Sequence, residues 1–303
     1  MSQYLSLFFD NLFPILLAAC VGFALAKWLK INPRPISQII FYIFSPVLVF
    51  KLIIGSQLSN QDILRTLGFT IVLIIVVGLL TWLIGSILKF DRKTLAAVLI
   101  TAMFMNAGNY GLPLTSFAFG QAALAFATVF FVVNAVLTNT IGIVIASSGS
   151  RSVWNAIKDL VKFPAIYALV LGVLFLQFKW QLPSGIDRTV TLLSNAAIPS
   201  MLVLLGMQLV NIRIDGRTLP LILTCGMRLL IAPLLAFGLT KLFGMTGPSS
   251  QAVILEAAMP AAVLTTILAT EFDAEPNFVT SAVMITTLLS PLTLTPLLKF
   301  LGA

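Results

Sequence analysis

Eight residues carry the densest polar chemistry in the chain: Asn106-Ala-Gly-Asn-Tyr-Gly-Leu-Pro113. The carboxamides of Asn106 and Asn109 can donate to a carboxylate without the desolvation cost of a second buried charge, and the Tyr110 phenol both donates and accepts. Gly108, Gly111 and Pro113 disfavour a continuous helix, and Pro113 has no N–H to offer the carbonyl of Asn109. Pro260 repeats the device, leaving the carbonyl of Glu256 without its helical partner. Glu256 and Arg228 lie deep within apolar runs, where a charge is costly and usually lines a cavity or pairs. This is the chemistry of holding a small ion or anion. With no histidine anywhere, imidazole triads, proton relays and His-ligated metals are excluded. No nucleophile–base constellation or metal cluster is legible, so an enzyme is the least supported class and neither cofactor nor metal is expected.

The elements that position these residues follow from composition. Of 303 residues, 59% are hydrophobic and 9% charged, against roughly 45–50% and roughly 25% in soluble domains. A soluble protein of this size could not cover its surface. The chain reads as an all-α polytopic membrane protein, and its net charge of +8 orients spans rather than binding nucleic acid. Stretches of about 20 apolar residues cross a bilayer, and ten are found: 8–26, 35–54, 66–88, 95–119, 122–146, 163–178, 189–210, 218–240, 250–270 and 278–301. No Lys or Arg precedes Lys27, so the first stretch reads as a retained span rather than a signal peptide. Cys20 and Cys225 sit in apolar runs and read as buried small hydrophobes. Trp154, Ile157, Leu160 and Val161 share a helical face in the central loop, which suits a short surface helix or a solvated linker.

Basic residues assign the sides. Lys27, Lys30, Arg34, Lys89, Arg92, Lys93, Arg151, Lys158, Lys162, Arg213 and Arg217 fall in one set of alternate loops; Arg65, Lys179, Arg188, Lys241 and Lys299 fall in the other. The richer set is expected in the cytoplasm, which places the 147–162 loop there and both termini outside the cell membrane. The halves also repeat: Leu95–Met103 matches Ser250–Ala258 at an offset of 155 residues. Five spans per copy is an odd number, so residues 1–150 and 151–303 form two inverted five-helix repeats.

Helical rise places Asn106 and Pro260 each about 15 Å deep, near the midplane and entering from opposite sides. Two interrupted helices meeting there turn positive helix ends and loose carbonyls toward one point. A single such kink would more readily serve packing; the pairing reverses that preference in favour of a site. Pro46 and Pro199 read as bends with fewer polar neighbours. Arg228 and Glu256 come within about 5 Å in height, which leaves open a static ion pair or a coupling device in which protonation of Glu256 frees Arg228 for substrate.

At these residues the chain resembles the auxin efflux carrier family. The resemblance is carried by Asn106-x-x-x-x-Gly111-x-Pro113, by Ala258-Met-Pro260, by Ala269-Thr-Glu-Phe272, and by Ser281-Ala-Val283. It implies ten helices with broken crossover helices four and nine, and a scaffold of helices one, two, six and seven. It further implies a mobile transport domain of helices three to five and eight to ten, and homodimers formed through the scaffold. By the same resemblance Asn106, Pro113 and Pro260 fall in the substrate site, joined on chemical grounds by Asn109, Tyr110 and Gly111. The function expected is secondary transport of a small organic anion, a carboxylate or an auxin-like acid, by alternating access at the midplane. Arg228 would be a counter-charge, and a proton or sodium a coupling ion. Two alternatives stand beside it: a cation/proton exchanger using Glu256, and a membrane sensor that binds ligand without moving it.

Overall fold

The structure, a computed structural model, describes residues 2–147, 158, 160–210 and 217–303. Helices dominate: α1 (Tyr4–Trp28), α2 (Pro33–Ile54), α3 (Asn60–Ile87), α4 (Arg92–Met103), α5 (Ala107–Ala146), α6 (Pro164–Phe178), α7 (Ser184–Gln208), α8 (Thr218–Leu242), α9 (Pro248–Ala257), α10 (Leu264–Glu271) and α11 (Pro276–Leu301). Among the described residues, seven helices are long and apolar enough to cross a membrane by length and composition: α1, α2, α3, α5, α7, α8 and α11. Trp154 and Ile157 of the central loop, and Arg213, lie outside the described residues.

The difference from ten continuous spans lies in three of them: the sixth, α6, has only 15 residues, and the fourth and ninth are interrupted. The expected fourth and ninth spans are each split, so α4, α9 and α10 are individually too short to cross. The second half of the fourth runs on into the fifth as α5, with one break at Gly120 (φ 69°, ψ −163°), a conformation open to glycine and foreign to a helix.

The prolines act differently from the sequence-based expectation. Pro113 does not interrupt its helix; α5 passes through it. A turn of wider pitch precedes it, with the Leu112 amide donating to the Ala107 carbonyl five residues back. The same turn precedes Pro14, Pro46 and Pro233, at Phe8–Leu12, Ile40–Phe44 and Met227–Ile231. A proline ring collides with the carbonyl four residues earlier, and a π-turn moves that carbonyl aside without ending the helix.

Packing brings α1 against α7 and α2 against α6. Backbones nearly touch at the first contact: a β-carbon on Gly22 would lie 1.9 Å from the Val203 carbonyl oxygen, and one on Gly206 would lie 1.7 Å from that of Ala19. Small residues allow this approach in membranes, where close van der Waals contact replaces the hydrophobic drive. The cysteines are free, and neither is fully buried as expected: Cys20 is exposed and Cys225 half-buried. Lys51 pairs with Asp187 at 2.6 Å. The largest core surrounds the breaks, with Phe104, Met105, Tyr110, Met259 and Ala261 almost wholly enclosed.

Candidate functional site

Two unwound segments, 104–106 after α4 and 258–263 after α9, pair with each other. The Asn106 amide donates to the Pro260 carbonyl at 2.9 Å, and the Ala262 amide donates to the Phe104 carbonyl at 3.0 Å. Met105 thus faces Ala261 in a one-step antiparallel bridge. Backbone groups released by one break are satisfied by the other, as a water-poor interior demands. The break after α9 is written locally, since Pro260 denies an amide and biases Met259 away from helix. The break after α4 contains no such residue. Phe104 and Met105 are unwound because they pair across the molecule. The interruption therefore takes in only Asn106 of the Asn106–Pro113 cluster expected to cause it.

Behind the crossing, α8 supplies Arg228, which is fully buried in the π-turn ahead of Pro233. Its Nη1 donates to the carbonyls of Ala102 (2.6 Å) and Met103 (3.3 Å), and its Nη2 to that of Ala257 (2.5 Å). These are last-turn carbonyls of α4 and α9, which no helical amide can reach. One guanidinium therefore caps both broken helices. Two helix C-termini carry about −0.5 charge each, so one cation roughly balances them.

Glu256 does not pair with Arg228. Its Oε1 accepts from the Thr115 hydroxyl at 3.4 Å, and its buried Oε2 has no partner. Its backbone carbonyl is not left free either, since the Met259 amide donates to it at 3.2 Å. The carboxyl presses on Gly111, whose missing side chain makes the room. Tyr110 is buried, with its phenol oxygen accepting from the Ser290 hydroxyl at 3.2 Å.

In front of the crossing lies a cavity of about 150 Å³, bounded by α2, α5, α7 and the start of α10. Asn106 and Asn109 line it, as do Ala107 and Leu264, the first residues of α5 and α10. Helix starts leave amides without helical acceptors and carry about +0.5 charge each. Three buried polar atoms without partners belong to residues on this lining: Asn106 Nδ2, Asn134 Oδ1 and Gln208 Oε1. Asn134 Nδ2 donates to the Met105 carbonyl at 3.0 Å, which fixes its amide and leaves the oxygen as the unused acceptor. Among the described residues, no charged side chain lines the cavity. The structure thus brings Asn106 and Asn109 together on it and sets Tyr110, Gly111, Pro113, Glu256, Pro260 and Arg228 behind or beside it. Asn134 and Gln208 escape a sequence reading because they are scattered amides in long apolar helices, where nothing in the spacing marks the face.

The membrane transport protein family model matches residues 7–298. An uncharacterized transporter of Methanothermobacter thermautotrophicus is 28% identical over 265 residues, covering 84% of each chain. Another, of Methanocaldococcus jannaschii, is 28% identical over 270 residues and covers 86% of each. A probable auxin efflux carrier component of Oryza sativa is 26% identical over 151 residues, 45% of this chain and 26% of the plant protein. With a helical bundle of apolar spans and a match across almost its full length, the chain belongs to the membrane transport protein family that includes the auxin efflux carriers.

Proposed function

We propose that the protein is a secondary transporter of a small organic anion, bound at the crossing of the two unwound segments and moved by alternating access. The observation that carries this reading is the unpaired, buried Asn106 amide nitrogen beside a cavity into which two helix N-termini open. Among the described residues their combined charge of about +1 has no side-chain counter-ion on the lining, while Arg228 is occupied by the opposite helix ends. This supports helix ends and amides, not Arg228, as the partners of a carboxylate. A cavity of about 150 Å³ is the size that takes a benzene-like molecule, which supports a compact carboxylate over an indole acid.

A ten-crossing inverted repeat is the architecture proposed around it. The matched stretches Leu95–Met103 and Ser250–Ala258 both lead into a break. Lys93 pairs with Asp273 and Arg217 with Glu275, all expected in the cytoplasm; Lys51 pairs with Asp187 and Gln177 with Asn60, all expected outside. The close α1–α7 and α2–α6 contacts support a separate scaffold, and the family resemblance supports a homodimer through it. The reading of Glu256 as the carrier of a cation/proton exchanger has one supporting feature, the unpartnered Oε2, and is weakened by its absence from the cavity lining.

The test is a thermal-shift screen of compact carboxylates on purified protein, followed by counterflow in proteoliposomes. A carboxylate that stabilises the protein and exchanges across the membrane is the expected result. Stabilisation without exchange would favour a sensor, and cation-dependent proton movement without carboxylate would favour an exchanger.

A further inference from the structure

Away from the crossing, α8, α9 and α11 enclose a groove of about 1200 Å³. Its walls are apolar and its rims exposed: Leu230 and Leu234 on α8, and Leu292 and Phe300 on α11, all show more than half their surface. Among the described residues, Lys241 is the one charged side chain on the lining, and it has no ion-pair partner. Polar groups gather at that same end, where Thr246, Ser250 and Gln251 surround the start of α9. From Leu230 to Lys241 the groove follows α8 for about 16 Å, roughly half of a hydrocarbon core about 30 Å thick. It is one leaflet deep, polar and cationic at the headgroup level and apolar to the midplane. A helix from a second copy would cross both leaflets and leave the Lys241 end uncompensated.

We propose that this groove binds an anionic phospholipid, with its phosphate at Lys241 and an acyl chain along α8. The chain's end would reach Leu229 and Ala258, the neighbours of Arg228 and Ala257. A lipid seated there therefore backs the bond that ties α8 to the broken end of α9.

Gly238 makes the proposal testable, because it lines the groove and a β-carbon there would meet nothing within 4 Å. Gly238→Leu should place a branched side chain in the acyl path along α8, where its β-carbon has room. The full chain is placed in nanodiscs of phosphatidylglycerol and phosphatidylcholine containing trace photoreactive analogues of each with a diazirine in the acyl chain. Labelled residues are then mapped by mass spectrometry. Wild-type protein should be labelled on α8 and α11, more by the anionic analogue. Gly238→Leu should weaken this labelling along α8 while keeping its melting temperature and its labelling on other outward helix faces. Lys241→Gln should keep acyl-chain labelling but lose about fivefold in preference for phosphatidylglycerol. Undiminished α8 and α11 labelling in Gly238→Leu, an unchanged preference in Lys241→Gln, or cross-links from these helices to a second copy in place of lipid would each overturn the proposal.

Discussion

A β-carbon placed on Gly111 would stand 2.1 Å from Oε2 of Glu256. The acid on α9 and the bare backbone of the α5 π-turn are therefore shaped to each other, and the two breaks are linked by packing as well as by their backbone bridge. Gly111→Ala should destabilise the protein by about 1–3 kcal/mol through overpacking. Shortening the acid should relieve it, so Gly111→Ala combined with Glu256→Ala should cost less than the sum of the two. Melting temperatures of the four proteins give the cycle, and strictly additive losses would mean the contact is not the cause.

Asn106 donates its backbone amide to Pro260 but leaves its side-chain nitrogen unpaired. Asn106→Ala should therefore preserve folding while weakening a bound carboxylate by roughly 1–3 kcal/mol. Calorimetric titration with the carboxylate found in the screen checks this; an unchanged affinity in folded protein takes the residue out of the site.

Arg228 should behave as a cap rather than a ligand. Arg228→Met strips the donors from three buried carbonyls, each worth about 1–3 kcal/mol when left unpaired. Arg228→Lys should restore only part of this, because an ammonium lacks the planar fork that reaches two helix ends. Unfolding in detergent with increasing denaturant separates the variants. Full stability in Arg228→Met would show that water or neighbouring amides satisfy those carbonyls instead.

Asp91 caps α4 outside the apolar spans, accepting from the amides of Lys93 and Thr94. Hydrogen bonds from Thr94, side chain first and then backbone, hold its carboxyl below the usual value of 3.8. A group with a depressed folded value stabilises fully above its unfolded value and stops doing so as pH falls through the folded one. Asp91→Asn keeps a capping oxygen and should flatten stability below pH about 4, whereas Asp91→Ala should cost about 1 kcal/mol at neutral pH. A melting curve measured against pH distinguishes them, and identical acid limbs in wild type and Asp91→Asn would exclude this group as the source.

Topology can be read with single cysteines in a chain freed of Cys20 and Cys225. Ser184 begins α7, next to the Lys51–Asp187 pair, while Ser150 lies outside the described residues in the basic central loop. An impermeant maleimide on intact cells should label Ser184→Cys and spare Ser150→Cys until the membrane is opened. Labelling of both from outside would contradict the inverted repeat.

The membrane, the helical class, seven of the ten expected spans and the family were legible in residue order, because they depend on composition, run length and short motifs. So was the break at Pro260, since a proline's missing amide acts where it stands. Pro113 misled because the same missing amide can be absorbed by a π-turn, and nothing local distinguishes a kink from a widened turn. Phe104 and Met105 are ordinary helix residues that unwind only because the Pro260 segment offers them an antiparallel partner. Arg228 was recognisable as a costly buried charge, yet its partners are carbonyls 126 and 29 residues away, released by breaks on two other helices. Asn134 and Gln208 reach the cavity only through the rotation and packing of α5 and α7. Chain order sets which groups are costly to bury; the crossing of the two broken helices decides which of those groups satisfy one another and which stay open to a ligand.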